Sequence, residues 1–155
     1  MNHLPLQYCS RGIITDRDGR VLLVKHRSHK PYTLPGGHLE KDETFQDALI
    51  REAREELDIT LELVGMVSIY RENNIRSLPA PVRVQLIEYD NGKGTQNKYE
   101  EFFLAQIVAG TIAVNHSEIA SFAWCTLDQI RDMSDSEIYA SIRDIVLSTE
   151  NQIWQ

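Results

Sequence analysis

The stretch that most constrains this chain is GGHLEKDETFQDALIREAREELDI, from Gly36 to Ile59. A glycine pair leads into a loop, and the loop feeds a helix. Thr44, with Asp47 three residues on, is a capping-box-like start that sets a hydroxyl and a carboxylate near the exposed first-turn N–H groups. Phe45, Leu49, Ala53 and Leu57 recur at steps of four and form one slanted apolar ridge on a helix. Glu52 and Glu56 lie four apart along one edge of that ridge, with Glu55 just beyond them. Carboxylates are therefore expected to converge beside a face pressed on a core.

Like charges four apart destabilise an exposed helix by roughly 0.2–0.5 kcal/mol, and by more where water is excluded. A bound divalent cation reverses that sign, and oxygen-only ligands suit Mg²⁺ or Mn²⁺. The bland alternative is a solvated charged face with local ion pairs. Asp47, Arg51 and Glu55 form a ladder at four-residue steps, so Arg51 can satisfy Glu55 without a metal. On that reading Glu52 and Glu56 are left without a partner.

With Gly37 and Glu43 upstream, the segment resembles the Nudix box: Gly, five residues, Glu, seven residues, Arg-Glu, a hydrophobe, any residue, Glu-Glu, any residue, Gly, a hydrophobe. Gly37, Glu43, Arg51, Glu52, Glu55, Glu56 and Ile59 fall in register. Asp58 stands where the family has Gly, at a helix end where a left-handed residue is expected; Asp tolerates that conformation better than most. The resemblance implies an α/β (α+β) fold, a Nudix-type α/β/α sandwich with a mixed β-sheet. It implies a single domain over 1–155 with the box at 37–59. The implied function is a metal-dependent pyrophosphohydrolase that cleaves a nucleoside diphosphate linked to another moiety, such as an NTP, a dNTP or a nucleotide sugar. Water attacks phosphorus. By the same resemblance the Gly37 carbonyl, Glu52 and Glu56 ligate Mg²⁺ or Mn²⁺, and Glu55 completes the cluster. Arg51 orients the carboxylates, with Glu43 as its partner. Glu52 accepts the proton of the water, with Glu118 as the alternative. A Nudix-like module that binds a nucleotide without hydrolysis is the competing reading. An unrelated acidic domain binding Ca²⁺ or a protein is a third, and it lacks the ligand spacing of a calcium loop.

A length of 155 residues is one domain's worth of chain, enough for a real core. The net charge of −7 argues against extended nucleic acid and against a membrane surface, but not against a nucleotide-type small molecule held through a metal. Cys9 and Cys125 are too few for a disulfide framework, which points to a reducing, cytoplasmic setting. No apolar run approaches membrane-spanning length.

Along the chain, Tyr8 to Thr15 and Val21 to Arg27 read as a hairpin around Asp16-Arg17-Asp18-Gly19. His26 to Lys30 is a basic patch, with Arg27 the best contact for a phosphate or base; a solvated loop is the alternative. Tyr32 either stacks on a ligand ring or packs. His38 reads as a loop residue. Ile59 to Glu72 is β-prone, with a bend at Gly65. The run from Asn73 to Pro81 is long enough to border a pocket, and Asp90 to Lys98 reads as a mobile loop. Strands are expected over Val82–Tyr89, Tyr99–Val108 and Phe122–Thr126, and helices over Leu127–Met133 and Ser136–Ser148. The family draws a further carboxylate from outside the box, for which Glu101 and Glu118 compete. The stripe Ile138, Ile142, Ile145 and Val146 is packing, or else the face of a homodimer.

Overall fold

The computed structural model describes residues 3–27, 29–65 and 74–153. Among them the strands are β1 (Gln7–Ile14), β2 (Val21–Lys25), β3 (Gly36–His38), β4 (Thr60–Leu63), β5 (Arg83–Asp90), β6 (Thr95–Ala109) and β7 (Ser121–Cys125). The helices are α1 (Phe45–Leu57), α2 (Leu127–Asp132), α3 (Ala140–Ser148) and the short α4 (Glu150–Ile153). The larger sheet runs β3-β1-β6-β4, with β5 also paired to β6, and a smaller one joins β2 to β7. β1 runs parallel to β6, while the other pairings are antiparallel, so the sheet is mixed as expected.

The central strands are buried on both faces, and alternate residues feed two cores. Ile13, Val21, Leu23 and Phe102 pack with Leu127, Ile130, Ile142 and Val146 of α2 and α3. Their chain neighbours Ile14, Leu22, Val24 and Phe103 pack with Leu49, Ala53 and Leu57 of α1. Helices thus cover both sides of the strands. The ridge read from the sequence is the buried face of α1, and truncating a residue such as Leu49 to Ala would cost about 2–5 kcal/mol.

The expected hairpin forms only at its tip. Gly19 adopts φ 76° and Asp16 N–H donates to Arg20 O at 3.0 Å, but the strands then separate into different sheets. Both edges of β1 are taken by β3 and β6, so β2 has to pair elsewhere. The loop expected over Asp90–Lys98 is a tight turn, Asn91 N–H to Gly94 O, between β5 and β6; Gly92 supplies the positive φ. In the β-prone run, β4 ends at Leu63, and residues 66–73 lie outside the described chain. Gly65 allows close approach to Pro79, whose Cβ would lie 2.8 Å from an added Cβ. The last long helix starts at Ala140 rather than Ser136. Residues 135–137 form a turn instead, and Ile138 is bridged to Tyr32, whose N–H donates to Glu137 O at 2.7 Å. Among the described residues no helix is long and apolar enough to cross a membrane.

Thr44 caps α1 by accepting from Asp47 N–H at 3.0 Å. Asp58 closes it in the left-handed region, at φ 56° and ψ 40°. That conformation is strained for a residue with a Cβ. Asp58→Gly is expected to stabilise the protein by about 0.5–1 kcal/mol, a rise in Tm of about 2–4 °C at most, read by thermal unfolding.

Candidate active site

β3 lies against α1 because two glycines allow it. Gly36 holds φ +142° and its backbone sits directly on Ser10 O, leaving no room for a side chain. A Cβ at Gly37 would lie 2.6 Å from Glu52 Oε1. The Glu52 carboxylate thus occupies the space that a side chain on β3 would take. Gly36 N–H donates to Glu56 Oε1 at 3.1 Å, tying the strand to the next turn of the helix.

Glu118 arrives from a different part of the chain. Asn115 N–H donates to Glu56 O at 2.8 Å and Ala113 N–H to Leu57 O at 2.9 Å, so the loop after β6 is stitched to the end of α1. The last backbone carbonyls of the helix are thereby satisfied, and the following turn presents Glu118. Oxygens of Glu52, Glu56 and Glu118 all lie within 4.8 Å of one another. They line a cavity of about 610 Å³ with Gly36, Gly37, His26 and Arg27. Glu55 and His116 line it too.

Arg51 binds this constellation together. Its guanidinium grips Glu43 in bidentate fashion, at 2.7 Å and 3.0 Å, and donates to Glu52 and Glu55 at 3.0 Å each. It also donates to the His38 carbonyl at 2.9 Å. The Glu43 hydrogen bonds raise its already high pKa further, so it stays charged. Glu52, expected to lack a partner on the ladder reading, shares this arginine, because Nη1 sits between adjacent turns of the helix. Glu56 is beyond its reach.

Glu56 is 2% exposed, and burial pushes its carboxyl up to about 8, helped by the charges of Glu52 and Glu118 and opposed by the Gly36 N–H and Arg11. Burial likewise raises Glu52, and Arg51 holds it back. His26 Nδ1 stands 3.7 Å from Glu56 Oε2. Burial and the Arg11 charge depress the imidazole, so it offers Glu56 no strong cation. A buried, all-oxygen donor set that repels itself is one that an oxygen-seeking divalent cation fits.

The structure brings together Gly37, Glu52, Glu55, Glu56, Glu118 and Arg27 around one cavity, with Arg51 beneath. It does not bring Tyr32, which packs against the α2–α3 core under Lys25 Nζ, 4.6 Å above its ring. Glu101 points away as well, accepting from the Tyr99 hydroxyl at 3.1 Å. Its neighbour Glu100 is the buried one, paired with Arg11 Nε at 2.8 Å. Sequence reasoning passed over Arg11; its only signal was a long cation inside a strand of otherwise small and apolar residues.

A family model for the NUDIX domain matches residues 7–145. The chain is 27% identical over 129 residues to a MutT-like protein of Streptomyces ambofaciens, covering 83% of this chain and 69% of that protein. It is 26% identical over 136 residues to an RNA pyrophosphohydrolase of Sphingopyxis alaskensis, covering 84% of each. Its fold matches the crystal structure of a NUDIX-family hydrolase from Clostridium perfringens at a TM-score of 0.74 and 19% identity, covering 96% of this chain and 99% of that one.

The raised Glu56 group has a measurable signature. The folded protein holds a proton there that the unfolded chain releases above its ordinary value of 4.5, so stability is lost as pH climbs from about 4.5 towards 8. In chelator, chemical denaturation should show stability falling across that window by a few kcal/mol, at about 1.4 kcal/mol per unit. Glu56→Gln should flatten the slope.

Proposed function

This chain belongs to the Nudix family, hydrolases acting on phosphoric anhydride bonds, and from that premise we propose that it is a metal-dependent pyrophosphohydrolase of nucleoside diphosphate derivatives. The observation that carries the reading is the convergence of Glu52, Glu56 and Glu118 within 4.8 Å beside Gly37. The curated relative named for RNA supports the pyrophosphate chemistry; its substrate is its own.

Glu52, Glu56 and the Gly37 carbonyl would hold Mg²⁺ or Mn²⁺, with Glu55 at the rim of the cluster. When bound, such an ion offsets charge on phosphoryl oxygens and makes water a better nucleophile. Glu52 holds the role of proton acceptor. Burial raises its affinity for a proton, and the Arg51 contact opposes that rise while fixing the carboxylate in place. Glu118 is the alternative base, because it reaches the same point from outside the helix. Arg51 is a positioning residue that fixes the carboxylates of two helical turns against Glu43. Arg27, exposed on the cavity wall, is placed to meet a substrate phosphate. Tyr32 serves in packing. The whole chain acts as one unit in this proposal, in a cytoplasmic setting.

A screen of nucleoside triphosphates, nucleotide sugars and dinucleoside polyphosphates with Mg²⁺, with the products identified, tests the reading. No turnover on any of them would overturn it. Glu52→Gln should lower kcat by roughly 10²–10⁴-fold with unchanged circular dichroism. Glu56→Gln should abolish nearly all metal-dependent turnover, and full activity would remove it from the ligand set. Arg27→Ala should raise KM about tenfold while kcat stays within about twofold; a pure kcat effect would contradict a binding role.

A further inference from the structure

A second cavity, of about 590 Å³, opens on the other side of His26, which lines both. Its floor is the β5–β6 hairpin and its far wall the start of α3. Arg11, Lys30 and Lys98 bring positive charge to it, and Glu100 is the carboxylate among its lining residues. Arg11 and Glu100 are bonded to each other at 2.8 Å, so they cancel. Lys30 and Lys98 have no carboxylate within 4 Å among the described residues. In a chain of net charge −7, this is a local reversal of sign.

The remaining lining is suited to a planar polar group. Tyr89 and Tyr139 present partly exposed rings, and Lys98 Nζ stands 5.9 Å over the Tyr89 ring. Gln85, opposite Glu100 in the register, lines the cavity, and its Nε2 has no hydrogen-bond partner among the described residues. A buried amide donor without a partner is costly, and a ligand acceptor would satisfy it once the amide turns outwards. At about 590 Å³ the cavity has room for more than one aromatic base, and Lys30 and Lys98 are among its lining residues.

We infer that this second cavity is a subsite for a nucleoside that carries a phosphate of its own, remote from the anhydride cleaved at the acidic cluster. The inference rests on the hydrolase reading for its orientation. The scissile anhydride lies by Glu52 and Glu56, the nucleoside passes His26, its base meets Tyr89, Tyr139 and Gln85, and its second phosphate meets Lys30 and Lys98. Lys30 and Lys98 would then set specificity by charge without touching the reacting atoms.

Binding tests it without turnover. Calorimetry on the wild-type protein with Mg²⁺ compares AMP with adenosine 2′,5′- and 3′,5′-bisphosphate, none of which contains an anhydride. At least one bisphosphate should bind about tenfold tighter than AMP, and the ratio should fall towards one in the Lys30→Gln/Lys98→Gln double variant. Equal affinities, no binding, or a preference that survives the double variant would overturn the subsite. A parallel hydrolysis assay compares NADH with NADPH, which differ by one 2′-phosphate. Faster cleavage of the phosphorylated member, lost in the double variant, supports the subsite. A bisphosphate preference in a protein that cleaves no anhydride leaves the subsite supported and counts against the hydrolase reading. Cleavage with no bisphosphate preference does the reverse.

Discussion

The arrangement depends on one guanidinium. Arg51 contacts Glu43, Glu52 and Glu55 and the His38 carbonyl, so it joins the loop after β3 to two turns of α1. Exposed ion pairs contribute little to stability, but a half-buried, bidentate and shared arginine fixes geometry. Lysine offers a point charge without the planar fork, and it would reach fewer of these oxygens at once. The loop between β3 and α1 would then lose its side-chain tie to the helix through Glu43. Glu52 would be free to leave the space over Gly37, where a side chain would otherwise sit 2.6 Å away.

Glu56 is the counterpoint. It is as buried as the core, yet Arg51 does not reach it, and burial and the Arg11 charge lower the affinity of His26 for a proton. Its one donor from the described chain is the Gly36 N–H. Folding therefore carries an electrostatic cost at this site, offset by the apolar ridge on the same helix. Leu49, Ala53 and Leu57 are fully buried, and the strands beneath them are buried on both faces. The doubly covered sheet is what lets a marginal cluster persist: stability is gathered in two cores while the acids occupy the seam.

What was legible in the sequence is what is local. The helix, its Thr44 cap and the shared edge of Glu52 and Glu56 follow from spacings of three and four residues, while the left-handed Asp58 was read from the family's glycine at that position. The loop stitched to the helix terminus through Asn115 and Ala113 is not local, and Glu118 was readable only by analogy. The split of β1 and β2 into different sheets was hidden for a similar reason. Turn residues announce a hairpin tip, but the edges of β1 and β2 are claimed by β3, β6 and β7, and the last two lie more than eighty residues away. Tyr32 shows the limit of reading aromatics one at a time. Its backbone is claimed by Glu137 and Tyr139, so its ring goes to the core rather than to the cavity. Arg11 and Glu100 meet only because the parallel register sets Arg11 beside Phe102, two residues from Glu100.

Charge also sorts the two cavities. One is walled by Glu52, Glu55, Glu56 and Glu118, and without a cation it repels any phosphate. The other has two lysines to spare over its cancelled ion pair. His26 stands between them and lines both, its affinity for a proton lowered by burial and the Arg11 charge. A ligand with two anionic ends is then oriented before any base is recognised: the end that can share a divalent cation belongs to the acidic side, and the end that cannot belongs to the basic side. An acidic protein can in this way select a highly anionic molecule, because net charge describes the surface as a whole while binding is decided over the few ångströms on either side of one imidazole.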